Sequence, residues 1–117
     1  MGRLTTHVLD TSVGRPGHGI RVEVYQLEGE SRTLLKEAIT NADGRCDGPI
    51  LEGDAFVAGQ YELVFHAGDY FRSLGDDEIG PRFLDTIPLR FGVVDASQHY
   101  HVPLLVTPYS YSTYRGS

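Results

Sequence analysis

The chain has 117 residues, of which 40% are hydrophobic and 22% charged; this size fits one compact domain and excludes a two-domain enzyme. Sixteen acidic residues against ten Lys and Arg give a formal charge of -6, which argues against binding to nucleic acid. No apolar stretch approaches the roughly 20 residues of a membrane helix, the first residues lack the apolar core of a signal peptide, and the one cysteine, Cys46, excludes an intrachain disulfide. We therefore expect a single domain over residues 1–117, free of the membrane and located in the cytoplasm.

Alternation of apolar and polar residues predicts strands in the first half of the chain. Residues 4–11 and 20–27 alternate in character, and a turn rich in Gly and Pro separates them. Residues 33–40 contain helix-forming side chains, but eight residues are few for a stable helix, so we predict a third strand. The Asp43-Gly44 turn follows it.

The second half of the chain repeats this pattern around one short helix. The strands predicted there are residues 59–67, 83–91, 100–106 and 110–114. Asp69 is placed to cap a helix over residues 70–74, which Gly75 ends. Pro88 and Pro103 fall within predicted strands and therefore belong at sheet edges or bulges. About seven strands at this spacing predict an all-β fold, a two-sheet sandwich with one short helix.

Histidines provide the candidate chemistry. We interpret His18, in the Gly-rich turn, and His66, at a strand end, as structural. His7 lies in the middle of a predicted strand, and His99 and His101 share one face of another because strand side chains repeat every two residues. These three imidazoles are therefore candidates to meet at one site.

Two kinds of chemistry fit such a group, and the residues alone leave both open. His7, His99 and His101 could hold a zinc ion with an activated water as the fourth ligand. Alternatively, a neutral imidazole could remove a proton from water while a second imidazole, or an arginine, polarises the carbonyl under attack. Arg45, directly after the tight turn, could present its guanidinium to an oxygen-rich ligand. A GxSxG motif for a nucleophilic serine is absent from the sequence.

Four sequence blocks, in order along the chain, resemble a known family. They are LTTHVLDTSVGRPG at 4–17, TNADGR at 40–45, HYHVPLL at 99–105 and SYSTYRGS at 110–117. Together they look like the 5-hydroxyisourate hydrolases, the transthyretin-related enzymes of urate breakdown. Transthyretin itself, a hormone carrier with the same fold, lacks the first-strand histidine, the arginine after the Asp-Gly turn and the YRGS ending. The resemblance therefore favours the enzyme over a transthyretin-like carrier of small molecules.

The resemblance implies an architecture and a set of site residues. The implied fold is a transthyretin-like sandwich of seven to eight strands, assembled as a homotetramer, a dimer of dimers with active sites at the dimer–dimer interface and with no metal or other cofactor. The residues that match catalytic positions are His7, Arg45 and His101. The residues that match the substrate-binding end of the chain are Tyr114, Arg115, Gly116 and Ser117. His99 matches no position of known role.

The implied reaction opens the six-membered ring of 5-hydroxyisourate to give 2-oxo-4-hydroxy-4-carboxy-5-ureidoimidazoline. Water adds to the C6 carbonyl and the N1–C6 amide bond breaks. One of His7 and His101 would act as the general base for that water, and the other would hydrogen-bond the substrate or the leaving nitrogen. Arg45 would offset the charge that develops on oxygen. The sequence does not decide which histidine is the base.

Overall fold

The structure, a computed structural model, describes residues 2–75 and 80–117. Its first strands are β1 (Arg3–Thr5), β2 (Val8–Asp10), β3 (Arg15–Pro16), β4 (Arg21–Glu28), β5 (Ser31–Ile39) and β6 (Leu51–Glu52). The later ones are β7 (Gly59–His66), β8 (Thr86–Val93), β9 (His99–His101), β10 (Leu104–Val106) and β11 (Tyr111–Ser112). A helical turn spans Gly53–Ala55, and the helix α1 spans Ala67–Ser73.

One layer of the fold is an antiparallel sheet in the order β5-β4-β7-β8. Val24 of β4 pairs with Leu63 of β7, which pairs with Leu89 of β8. These three side chains are buried, and burying each one contributes about 1.5–3 kcal/mol relative to exposure. Pro88 lies in β8, the edge strand of this sheet, as its missing N–H predicts.

The other layer is built on two parallel segments, residues 3–10 and 99–106. β1 pairs with β9 and β2 with β10, and both segments are interrupted at the same level, at Thr6-His7 and at Val102-Pro103. Two backbone hydrogen bonds cross the interruption, from Val102 N–H to the Thr5 carbonyl at 2.9 Å and from Leu104 N–H to the His7 carbonyl at 2.8 Å. Pro103 has no N–H to donate, which accounts for the irregularity there.

The two layers pack on one continuous apolar core. The largest completely buried side chains come from both layers and include Leu4, Tyr61, Phe65, Ile87 and Leu104. Sheets that pack face to face in this way form a β-sandwich. The predicted all-β sandwich with one short helix is confirmed, and the side chains that project outward from the interrupted layer are free to form a site.

Several predicted boundaries are wrong for local reasons. The strand over residues 4–11 is broken at His7, and the helix begins at Ala67, so Asp69 lies within its first turn instead of capping it. Gly75 follows the helix with a φ of 90°, as predicted. The ambiguous segment 33–40 is a strand within β5. The two-residue strands β3 and β6 carry too little pattern to be predicted.

Within residues 2–75 and 80–117, no helix is long and apolar enough to cross a membrane.

Candidate active site

The interruption between β1 and β2 brings His7 beside Arg45. These two residues form an antiparallel β-bridge, and Val8 donates its N–H to the Gly44 carbonyl at 2.8 Å. Gly44 has a φ of 76°, and a Cβ at this position would collide with the Val8 carbonyl oxygen. Glycine is therefore required both by the backbone conformation and by the close approach of the loop to β2.

Asn41 shapes the loop that carries Arg45. Its Oδ1 accepts hydrogen bonds from the N–H of Asp43 at 2.9 Å and from the N–H of Arg45 at 3.2 Å. Its main-chain N–H donates to the Arg45 carbonyl at 2.7 Å. Asn favours such turns because its side chain can replace a backbone acceptor. The side chain of Asn41 thus fixes the direction in which the Arg45 backbone leaves the turn.

His7 has a defined proton arrangement. Its Nε2 lies 2.9 Å from the Asp43 carbonyl oxygen, which can only accept, so neutral His7 carries its proton on Nε2 and leaves Nδ1 as an acceptor. Burial and then the Arg45 guanidinium lower the pKa of His7, and the hydrogen bond to the Asp43 carbonyl opposes them. The net shift is downward, which favours the neutral ring near pH 7.

His101 lies on β9, half-buried, and shares its electrostatic surroundings with His7. Burial lowers the pKa of His101 first, followed by the charge of Arg45 and then by His7 and His99. Arg45 therefore acts on both imidazoles, and the structure brings His7, Arg45 and His101 into one cluster. Two neutral imidazoles next to a permanent cation are suited to proton transfer at neutral pH beside a developing negative charge.

His99 projects from the same strand and is held through Thr5. The Thr5 hydroxyl lies 2.8 Å from His99 Nε2 and 2.8 Å from His101 Nδ1, and the two ring centroids are 6.4 Å apart. Burial and the charges of Arg3 and Arg115 lower the pKa of His99. In the described part of the chain no three His, Cys, Asp or Glu side chains are arranged to hold a metal ion, so the geometry does not favour the zinc alternative.

A cavity of about 200 Å³ opens beside Arg45. The residues that line it are Arg3, Thr5, Thr6, Arg45, Cys46, Gly48 and Pro49. Two arginines among these lining residues make the cavity suited to an oxygen-rich, electron-rich ligand. Burial raises the pKa of the Cys46 thiol, so Cys46 is a poor nucleophile there.

The end of the chain packs against β9. Gly116 and His101 exchange backbone hydrogen bonds, at 2.7 Å from Gly116 N–H and 3.2 Å from His101 N–H. The Arg115 guanidinium lies 4.3 Å above the Tyr100 ring and donates to Gln98 Oε1 at 3.0 Å. Of the four terminal residues singled out from the sequence, Gly116 is therefore the one in direct contact with the His101 backbone.

The other terminal residues lie apart from the cavity at Arg45 in the isolated chain. Tyr114 and Arg115 line a second cavity of about 450 Å³, whose walls come mainly from β8, Tyr100 and β11. Ser117 is exposed. In this single chain the terminal segment is therefore joined to His101 through the main chain of Gly116, and the side chains of Tyr114 and Arg115 belong to the second cavity.

Three residues that position the site were not singled out from the sequence. Thr5 contacts both histidines of β9, Asn41 forms the turn, and Gly44 allows it to dock. The turn itself is predicted from the sequence, but the hydrogen bonds of Asn41 and the contact of Gly44 with β2 are not. Thr5 could be found only from the parallel register that sets it opposite His101.

Comparison with known proteins gives consistent matches over nearly the whole chain. A family model described as the HIUase/Transthyretin family matches residues 4–116. The 5-hydroxyisourate hydrolase 2 of Rhizobium meliloti is 63% identical over 116 residues, which are 99% of this chain and 97% of that protein. The solved 5-hydroxyisourate hydrolase of Klebsiella pneumoniae has 33% identity and a TM-score of 0.81, with all of both chains covered.

A longer protein also contains this fold. The crystal structure of an (S)-allantoin synthase matches 99% of this chain with 52% identity and a TM-score of 0.92. The present chain spans 44% of that protein.

Proposed function

The chain belongs to the HIUase/Transthyretin family, and we propose that it hydrolyses 5-hydroxyisourate with His7, Arg45 and His101 as its catalytic residues. Relatives that are 5-hydroxyisourate hydrolases match it over its full length. The observation that carries the proposal is the cluster itself: a β-bridge joins His7 to Arg45, and the charge of Arg45 acts on His101 as well as on His7. The chain is thus a hydrolase of urate catabolism.

In the proposed mechanism the cluster supplies a base and a cation to a ring amide. One of the two neutral imidazoles takes a proton from water as the water oxygen bonds to C6 of the substrate. Arg45 stabilises the negative charge that develops on the C6 oxygen. The other imidazole hydrogen-bonds N1, and when the N1–C6 bond breaks N1 takes up the proton that the basic imidazole removed from water. The former carbonyl carbon stays bonded to C5 of the product as a carboxyl group, one of whose oxygens comes from water.

Isotope labelling tests this route. Hydrolysis in water enriched in oxygen-18 is expected to place one heavy oxygen in the carboxyl group of the product, as detected by mass spectrometry. A product without the label, or labelled at another carbon, would contradict attack at C6. Buffer without protein serves as the control for the spontaneous reaction.

A hydrophobic carrier fits this geometry less well. The cavity at Arg45 is walled by two arginines and two threonines, whereas sites for apolar ligands are lined mainly by apolar and aromatic side chains. The two proposed catalytic histidines next to Arg45 also have no role in holding such a ligand.

The proposal requires no metal, because Arg45 provides the positive charge that a metal would otherwise supply. We expect that dialysis against a strong chelator leaves kcat unchanged and that added zinc gives no increase. The measurement is substrate decay together with elemental analysis of the purified protein. Stoichiometric zinc, with activity lost to the chelator and restored by zinc, would contradict this expectation.

We also propose that the chain works as a homotetramer, a dimer of dimers with its sites between dimers. Two tyrosines near the end of the chain, Tyr109 and Tyr111, are 64% and 44% exposed, and β8 and β11 are edge strands. Exposed aromatic groups beside open edges are suited to burial against another copy. Sedimentation is expected to give four times the chain mass of 12.9 kDa. An active monomer would contradict the proposal.

The domain organisation and the cellular location are proposed together with this function. The continuous core supports one domain over residues 1–117, and the free thiol of Cys46 fits the reducing cytoplasm. Cell fractionation tests the location: recovery with a cytoplasmic marker enzyme is expected, and recovery outside the cytoplasm would contradict it.

A further inference from the structure

One hydroxyl group lies between the two histidines of β9. Thr5 Oγ1 is 2.8 Å from His99 Nε2 and 2.8 Å from His101 Nδ1. The parallel register of β1 and β9 places Thr5 opposite His101, and His99 precedes His101 by two residues on the same face. Within residues 2–75 and 80–117, no other protein group hydrogen-bonds either ring. The hydroxyl is therefore the shared partner of both imidazoles.

Counting protons restricts how this contact can work. A threonine hydroxyl has one hydrogen to donate and two lone pairs that accept. It can donate to only one of the two ring nitrogens, so the other ring must present an N–H to the hydroxyl oxygen. The contact consequently couples the tautomer of His101 to the hydrogen bond at His99. His7 differs, because a carbonyl oxygen fixes its proton on Nε2.

We propose that Thr5 is a positioning residue that accepts the Nδ1–H of His101 and donates its own hydrogen to Nε2 of His99. Nε2 of neutral His101 is then unprotonated and available as the proton acceptor for water. This inference deepens the proposed function and rests on it, since it selects His101 as the general base. It also gives His99 a role, as the acceptor that orients the hydroxyl.

The arrangement works in both protonation states of His101. When Nε2 takes a proton, Nδ1–H keeps its acceptor in Thr5, so the ring does not have to turn during the reaction. The charged and titratable groups around His101 are Arg45, His7 and His99, and those around His99 are Arg3 and Arg115. The arginines favour neutral rings, the state in which the choice of tautomer matters.

Removing the hydroxyl at constant shape tests the inference. Thr5→Val keeps the β-branched shape that suits a strand, and Thr5→Ser restores the hydroxyl. We expect Thr5→Val to lower kcat about 10-fold or more, as when a catalytic histidine loses the partner that sets its tautomer, with little change in KM. Thr5→Ser should recover most of the activity. Thr11→Val is a matched control, because its hydroxyl contacts only the Val106 carbonyl, at 3.4 Å.

The pH profile gives a readout that loss of packing alone would not move. The hydroxyl oxygen stabilises the protonated ring by accepting from Nδ1–H, so its removal lowers the pKa of His101. The acid limb of the kcat/KM profile of Thr5→Val should therefore lie at lower pH than in the wild type and in Thr5→Ser. A Thr5→Val protein with the wild-type rate and profile would overturn the inference.

Nitrogen-15 NMR of the histidine rings reports the tautomer without reference to activity. The wild type and Thr5→Ser are expected to carry the His101 proton on Nδ1, and Thr5→Val on Nε2, where water can solvate it. A wild-type His101 with its proton on Nε2 would overturn the inference even if the enzyme is active. A wild type that leaves 5-hydroxyisourate unchanged would instead refute the proposed function, and the NMR result would still decide the hydrogen-bond arrangement.

Discussion

Replacing His101 with alanine is expected to lower kcat by about 100-fold or more, the usual effect of losing a general base. Arg45→Ala and His7→Ala should cause losses of the same order, because in the proposed mechanism Arg45 stabilises the developing charge and His7 hydrogen-bonds the substrate or the leaving nitrogen. A 100-fold loss corresponds to about 2.7 kcal/mol in the activation free energy. Steady-state rates of substrate decay, at equal concentrations of folded protein, measure the effect.

Two other histidines provide the controls. His18 is exposed in the turn after β3, so His18→Ala should retain wild-type activity. His99→Ala should be mild, because the Thr5 hydroxyl remains to accept from His101. If His99→Ala is as damaging as His101→Ala, the assignment of roles within the HYH triplet is wrong.

Deletion of residues 114–117 is expected to leave a folded tetramer that is nearly inactive. These residues contribute none of the core side chains, so circular dichroism and sedimentation should match those of the full chain. The deletion removes the backbone pairing of Gly116 with His101, and with it the support that holds the His101 main chain in place for catalysis. Substrate decay should fall by about 100-fold, as for loss of the base itself.

A point substitution at Gly116 separates positioning from simple loss of the segment. A Cβ at this position would lie 3.1 Å from His101 Cβ and 3.2 Å from its Cδ2, closer than side chains normally pack. Gly116→Ala should therefore displace the imidazole and lower kcat while the tetramer persists. Ser112→Ala, two residues into β11, is the matched control and should be active. If the chain that lacks residues 114–117 is fully active, these residues have a purely structural role and the prediction is contradicted.

The strand pattern was the most predictable part of the fold. Period-two alternation located β4 and β7, whose inward side chains are buried and whose register is regular. It missed the interruption at Thr6-His7, because the residues there still alternate in character. The interruption shows only in the hydrogen bonds, since the Val8 N–H donates to the Gly44 carbonyl and the His7 carbonyl accepts from the Leu104 N–H. Such an interruption depends on a partner that is distant in sequence, and local propensity carries no information about it.

The same limit applies to the candidate site. Spacing on β9 predicts that His99 and His101 share a face, and the sequence blocks point to His7 and Arg45. That Thr5 lies between the two imidazoles follows from a parallel pairing of residues that are 94 and 96 positions apart along the chain. Gly116 pairs with His101, whereas Tyr114 and Arg115 line the second cavity. These positions likewise depend on tertiary packing of the last segment, which the local sequence does not specify.

The decay of 5-hydroxyisourate itself is the measurement on which the proposed function depends most. The compound can be generated in the cuvette with urate oxidase, and its decay can be followed by absorbance. Three samples are compared: one with no added protein, one with the wild-type chain and one with His101→Ala at the same protein concentration, well below that of the substrate. We expect rapid decay with the wild type and a rate close to the spontaneous one with His101→Ala. Decay that is no faster with the wild-type chain than in buffer would contradict the proposed function.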